Sequence, residues 1–398
     1  MSYAKLSILD LPDNIFKGKR VFVRVDFNVP IKDGNIVDDI RIRKTIPTIT
    51  YLTDRDGRVI LASHLGRPKG SRDPKYSLKP VAEHLSRLLK KEVKFADDCI
   101  GENTRKLVDE LKDGEILLLE NLRFHEEEEK NDPEFSEKLA SYCDIYVNDA
   151  FATAHRAHAS TYGMAVNVKT RAAGILMKKE VEALTKVREN PEHPFVVILG
   201  GAKVKDKIGL IEYLLPKADA FLIGGGMAYT FLYATGVKIG KSLLEEEMVE
   251  KVKDYISTDK IVLPEDHVVA DKIAEDANYK AVRDIPDDMM GVDIGPITIG
   301  RYISLIPETG TVFWNGPLGV IEVDEFSKGS TEICRAIAYK TSQGVFSVLG
   351  GGDTLTVLEK TRLDEDRFSH VSSGGGATLE FLAGMDLPGI KILDDRKD

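Results

Sequence analysis

Lys203 and Lys207 stand four residues apart, just after the glycine pair Gly200-Gly201, and together they carry the most legible chemistry in the chain. The five residues before the glycines, FVVIL over 195–199, are apolar and largely β-branched. They predict a strand buried on both faces, as in a parallel sheet. Glycines there permit a tight turn and a close approach to a ligand. The next stretch, KVKDKIGLIEYLL, predicts a helix whose free amides and positive dipole end face the same spot. Two ammonium groups at i and i+4 on one helical face, beside a helix N-terminus, make a phosphate site. Taken alone, the same residues also fit a surface turn with two solvated lysines.

A second set of groups lies at predicted strand ends in the first half. The strand over 21–26 delivers Asp26 and Asn28, and that over 58–63 runs into His64 and Arg67. The strand over 114–120 leads to Arg123, and that over 145–148 leads to His155, Arg156 and His158. Arg41 opens a helix over 41–52 that has Ile42, Ile46, Ile49 and Leu52 on one face and Pro47 inside it. Arg41, Arg67, Arg123 and Arg156 start or end separate elements, and clustering four guanidinium groups is costly unless an anion joins them. Arg24, within its strand, fits a satisfied ion pair. His155 and His158 have the spacing to share a metal, but no third ligand accompanies them, so hydrogen bonding to an anion or within the loop is favoured. Glu126–Glu129 reads as a solvated loop or helix start.

The second half repeats the rhythm. Strands over 220–223, 311–314, 345–349 and 369–373 run into Gly224–Gly226, Asn315-Gly316-Pro317, Gly350–Thr354 and Gly374–Gly376. Asp353, after three glycines and before a helix, fits an N-cap, a Mg²⁺-facing carboxylate, or both. Strand–helix alternation throughout predicts an α/β fold with parallel sheets, whose ligands lie beyond the strands' carboxyl ends.

Bulk properties narrow the function. The 398 residues suit two domains, and a net charge of −10 argues against a general nucleic-acid or membrane-surface binder. Residues 1–170 balance 28 basic against 28 acidic groups and the remainder hold 27 against 37, so basic groups are relatively rich in the first half. Cys99, Cys143 and Cys334 show no metal or redox spacing and fit a reducing cytosol; no leader or membrane-spanning run is evident, so a cytoplasmic protein is expected. Gly236 to Ser242 approaches a Walker loop but has one residue too few between its glycines, no GxGxxG follows a strand, and no GxSxG occurs.

Eight motifs occur in order: RVDFNVP, SHLGRP, ENLRFH, AHRAH, GGAKVKDKI, FWNGPLGVIE, GGGDT and SSGGGA. Together they span nearly the whole chain, which on this pattern resembles the phosphoglycerate kinase family. That resemblance implies two Rossmann-like domains facing each other across a hinged cleft, and Mg²⁺-dependent transfer of the acyl phosphate of 1,3-bisphosphoglycerate to ADP, giving 3-phosphoglycerate and ATP. It implies that Asp26, Asn28, Arg41, His64, Arg67, Arg123 and Arg156 hold the glycerate, with His155 and His158 at the edge. Lys203, Lys207, Gly225, Gly226, Asn315, Pro317, Glu322, Gly351, Gly352, Asp353 and Thr354 would hold the nucleotide, Glu322 at the ribose and Asp353 at the metal. Arg41 and Lys203 would clamp the transferring group, with amides near Gly374 and Gly375 as added donors.

The expected divisions are a glycerate domain over 1–170, a hinge helix region over 171–190, a nucleotide domain over 191–376, and a segment over 377–398 returning to the first domain. Glu180 in the hinge helix is expected to interact with His370. A monomer is expected, with a homodimer as the alternative. Two other readings stay open: a nucleotide sensor of the same fold without catalysis, and an α/β dehydrogenase, which the missing dinucleotide fingerprint disfavours.

Overall fold

The computed structural model describes residues 4–396. Contacts divide the chain into two compact units, one made by the chain up to Glu182 together with the stretch from Asp386, the other by Ala183–Met385. The division falls inside the helix Ile175–Glu189. The returning stretch starts at Asp386 rather than 377, because the helix Gly376–Leu382 packs on the helix Ile208–Leu214 of the second unit.

Each unit is built on a six-stranded parallel sheet. In the first, the strands run in the spatial order Val93–Phe95, Ile116–Leu118, Arg58–Ala62, Arg20–Arg24, Ile145–Asn148, Thr170–Ala173. In the second the order is Ile261–Val262, Ala220–Ile223, Phe195–Leu199, Thr311–Asn315, Phe346–Gly350, His370–Ser372. The central strands Phe195–Leu199 and Thr311–Asn315 are buried at every residue, as their unbroken apolar runs require. Register brings the ends level: Arg24 pairs with Ala62 and Asn148, and Asn315 pairs with Leu199 and Gly350.

The helix Ile40–Thr53 continues through Pro47, which is exposed, while Ile42, Ile49 and Leu52 pack into the core of the first unit beside Val21, Val23 and Leu61. In the second unit, Trp314 and Tyr302 anchor the corresponding core. The second unit also carries an antiparallel sheet, Tyr279–Val282, His267–Ala270 and Met290–Ile294, that interrupts the expected alternation. Its middle strand, HVVA, is too short to declare itself against the charged sequence around it.

The returning segment is tied to the first unit by several bonds. Asn148 Nδ2 donates to Gly389 O at 3.0 Å, Gly389 N donates to Ala154 O at 2.8 Å, and the Arg171 guanidinium meets Asp394 Oδ1 at 2.6 Å. Ile390 is fully buried and Leu393 nearly so. Ile390→Ala should therefore destabilise the first unit by about 2–4 kcal/mol. Trp314, the single tryptophan, lies in the second unit and provides an internal reference. In urea, the backbone ellipticity change of the first unit should move to lower denaturant while the Trp314 fluorescence transition stays; a shift of the fluorescence transition alone would contradict this assignment.

Candidate active site

In the first unit the strand ends gather a basic cluster. Arg24 closes its strand fully buried, with Nε donating to Ser160 Oγ at 2.7 Å and one terminal nitrogen 3.3 Å from His64 Nδ1. Arg24 is thus held by a serine, a histidine and the Val25 carbonyl, and among the described residues no carboxylate bonds it directly to supply the ion pair anticipated for it. Arg123 is 4% exposed; it donates to Gly66 O at 3.0 Å, and its Nε lies 3.4 Å from Glu129 Oε1. Arg41, from the first turn of its helix, ion-pairs with Asp26, whose other oxygen accepts from Asn28 N at 3.1 Å. Asn28 Oδ1 in turn accepts from Gly66 N at 2.8 Å, fixing the turn after His64. Arg67 is exposed in that turn.

The electrostatics follow from burial among cations. His64 is driven well below the ordinary imidazole range by burial, then by the charges of Arg24, Arg123 and Arg41. His158 is pushed down to about 3 by burial and by Arg24, Arg123 and Arg156. Both rings are neutral near pH 7, so the fixed positive charge of the cluster comes from guanidinium groups. Arg156 Nε donates to His155 Nε2 at 3.2 Å, a bond within their own loop. Among the described residues the His/Cys/carboxylate trio close enough to share an ion is Asp98, Cys99 and His125. There Asp98 Oδ1 already accepts from Cys99 N and meets His125 Nε2, each at 2.7 Å.

In the second unit the glycine turn closes on itself. Gly200 N donates to Asn315 O at 3.0 Å and Gly201 N to Pro317 O at 2.8 Å. A Cβ on Gly200 would sit 2.0 Å from Pro317 O, and one on Gly225, where φ is +65°, would sit 2.7 Å from Gly201 N. Only glycine permits these turns to pack together. Asn315 Nδ2 donates to Gly350 O at 2.6 Å, and Thr354 Oγ1 accepts from Gly316 N at 2.8 Å, joining the third and fourth turns. Gly226 precedes the helix Met227–Ala234, and Gly374 N donates to Ser372 Oγ at 3.2 Å ahead of Gly375 and the helix Gly376–Leu382.

The two lysines depart from the sequence expectation. The α-helix begins only at Ile208, after a 3₁₀ turn over Lys205–Lys207, so Lys203 and Lys207 do not share a helical face. The Glu245 carboxylate accepts from the backbone of Val204 and Lys205 at this turn. Lys203 is exposed in the loop, whereas Lys207 is half-buried and bonds Asn315 Oδ1 through Nζ. Asp353 is exposed in the first turn of the helix Gly352–Thr361; Gly351 occupies the N-cap, so Asp353 does not cap it by side chain. Glu322 is exposed on the loop beyond Pro317.

The phosphoglycerate kinase family model matches residues 11–385. This chain belongs to the phosphoglycerate kinase family. The phosphoglycerate kinase of Dictyoglomus turgidum is 52% identical over 400 residues, covering 99% of this chain and all of that protein. The cytosolic phosphoglycerate kinase of Nicotiana tabacum is 52% identical over 399 residues, covering 98% of this chain and 99% of the relative. Among solved structures, the phosphoglycerate kinase of Coxiella burnetii superposes with a TM-score of 0.88 at 42% identity, covering 98% of each chain. That from Pyrococcus horikoshii OT3 gives 0.84 at 36% identity, with the same coverage. Phosphoglycerate kinase membership sets the dehydrogenase alternative aside.

Burial pushes Lys207 down to about 8, opposed by Asp206 and Asp353. The ammonium form attracts phosphate and the amine does not, so pyrophosphate affinity at this turn should fall as pH rises through about 8. Calorimetric titrations between about pH 7 and 10 test this, and Lys207→Arg should abolish the fall because guanidinium stays charged there. An unchanged affinity across that range in the parent would show that the Lys207 charge is not engaged.

Proposed function

We propose that the chain catalyses reversible transfer of the acyl phosphate of 1,3-bisphosphoglycerate to ADP, giving 3-phosphoglycerate and ATP, as a step of glycolysis and gluconeogenesis. The observation that carries this reading is the guanidinium cluster of the first unit, whose buried histidines are neutral and whose charge is therefore insensitive to pH near 7. A small di-anionic acid suits such a pocket, while the glycine turns and Lys207 of the second unit suit a nucleotide's phosphates.

Phosphoryl transfer asks little covalent chemistry of the protein; it needs in-line alignment and neutralisation of spreading charge. In the reverse direction the attacking carboxylate is already ionised, so no general base is needed. Asp26, Asn28, His64, Arg67, Arg123 and Arg156 orient the glycerate. Arg41 and the exposed Lys203 meet the transferring group, with Asp26 holding the Arg41 guanidinium in one direction. Amides at the helix start after Gly352 and around Gly374 and Gly375 supply fixed dipoles toward developing charge. Mg²⁺ entering with the nucleotide supplies further neutralisation; the exposed Asp353 would hold it, one carboxylate plus phosphate oxygens being its usual set. Glu322 is assigned to the ribose.

Groups drawn from two units must meet before transfer, so closure around the hinge helix region over 171–190 is part of this proposal, with Glu180 and His370 coupled to it. A cytosolic location and a monomer, or alternatively a homodimer, complete it. The tobacco relative is named cytosolic, and among the described residues no helix is long and apolar enough to cross a membrane.

A coupled assay of ATP consumption with 3-phosphoglycerate and Mg²⁺ tests the reading. Arg41→Ala and Lys203→Ala should each lower kcat by about a hundredfold or more, with smaller changes in KM. A parent that binds ATP yet forms no acyl phosphate would favour the nucleotide-sensor reading instead. His370→Gln should change ligand-induced compaction measured by small-angle scattering; the same compaction in parent and variant would remove the proposed Glu180–His370 role.

A further inference from the structure

The acidic run Glu126–Glu129 is not a solvated face throughout. In the short helix Glu126–Lys130, Glu126 and Glu129 are exposed, whereas Glu128 is completely buried. A buried carboxylate is costly unless its oxygens are satisfied and its charge is balanced. Both conditions are met by one residue and its partner. Glu128 Oε2 accepts from Ser160 N at 2.9 Å, and Oε1 accepts from Ser160 Oγ at 2.5 Å. The same Oγ accepts from Arg24 Nε at 2.7 Å. Ser160 therefore donates to the carboxylate and receives from the guanidinium, a polarised chain with a charge at each end.

The surroundings hold that chain in one geometry. Ser160 lies in a π-helical turn over Ala159–Gly163, and its carbonyl accepts from Tyr146 OH at 2.9 Å. Ser160, Tyr146, Arg24 and Glu128 are each fully buried. Burial raises the Glu128 carboxyl, while the Arg24 charge and the bonds from Ser160 hold it down. With Nε engaged by Ser160, the plane of the Arg24 guanidinium is set, one terminal nitrogen meeting Val25 O and the other facing His64 Nδ1.

We propose that Glu128 is a positioning residue for the anion site: through Ser160 it fixes the Arg24 guanidinium against His64, and so sets the geometry in which the pocket receives a phosphorylated carboxylic acid. The identity of that acid rests on the function proposed above; the positioning role does not. Glu128 does not touch the ligand. It acts through Arg24.

The sign of one substitution separates this role from the alternative. A carboxylate that merely sits near the pocket repels an incoming anion, so neutralising it would tighten anion binding. A carboxylate that positions Arg24 does the opposite when removed. In the full-length protein, Glu128→Gln keeps the shape and removes the charge, and Ser160→Ala keeps the charge and cuts the link. Inorganic sulfate is the probe that is independent of turnover, and 3-phosphoglycerate is the substrate probe.

Each variant should weaken both ligands by about tenfold, the scale of one charge-assisted hydrogen bond. The KM for 3-phosphoglycerate should rise while ADP affinity is unchanged, and the double variant should lose no more than the worse single one, since both break the same link. Sulfate binding that is unchanged or tighter in Glu128→Gln would overturn the proposal, as would additive losses or an equal loss of ADP affinity. Should Glu128→Gln fail to fold, Ser160→Ala decides: parental sulfate and 3-phosphoglycerate affinities in that variant overturn it. A parent that binds sulfate but does not turn over would sink the enzymatic reading and leave this one standing.

Discussion

Both six-stranded sheets are covered on both faces, and that burial dictates where polar chemistry can lie. A strand such as Phe195–Leu199, with every side chain buried, offers no surface for a ligand. Only its end is open, where the ladder stops and the chain must turn. Register then does the assembling. Arg24 beside Ala62 and Asn148 in the first sheet, and Asn315 beside Leu199 and Gly350 in the second, bring residues far apart in sequence to a common rim. The basic cluster and the glycine turns are two fillings of the same kind of rim.

The two rims handle charge differently. In the first unit, burial and then the neighbouring guanidinium charges suppress protonation of His64 and His158, so the cluster relies on fixed charge rather than titratable charge. Arginine suits this, because its charge survives desolvation and its planar fork can be oriented by partners such as Ser160 and Asp26. In the second unit the turns present backbone and small side chains, and the half-buried ammonium of Lys207 sits closer to its titration point.

Much of this was legible in the sequence because it depends on local patterns. Apolar β-branched runs ending in Gly, Asn or Asp marked the central strands within a residue or two, and the strand ends named Asp26, His64, Arg123 and Asn315 directly. Edge strands such as Val93–Phe95 and Thr170–Ala173 were not legible, being short and mixed in polarity. The antiparallel insertion was hidden for the same reason. Features that depend on distant partners were misread. Lys203 and Lys207 have helical spacing, but a 3₁₀ turn over Lys205–Lys207, its backbone bonded to Glu245 some forty residues on, precedes the α-helix. Glu128 looked like one of four solvated glutamates, and only its pairing with Ser160, 32 residues away, reveals it as interior. Spacing reports what a segment prefers, whereas burial is decided by what packs against it.

The tie between the returning segment and the first unit has a consequence for biosynthesis. The second unit is one uninterrupted stretch, Ala183–Met385, whereas the first needs residues from Asp386 onward to cover Asn148, Ala154 and Arg171. On the ribosome those residues emerge after the whole of the second unit. The part of the chain translated first is therefore completed last, and the unit translated second can close its core while its neighbour still waits with an open seam. A nascent chain of this protein spends its synthesis with the first unit unfinished, and that unit is where a folding helper would find exposed apolar surface.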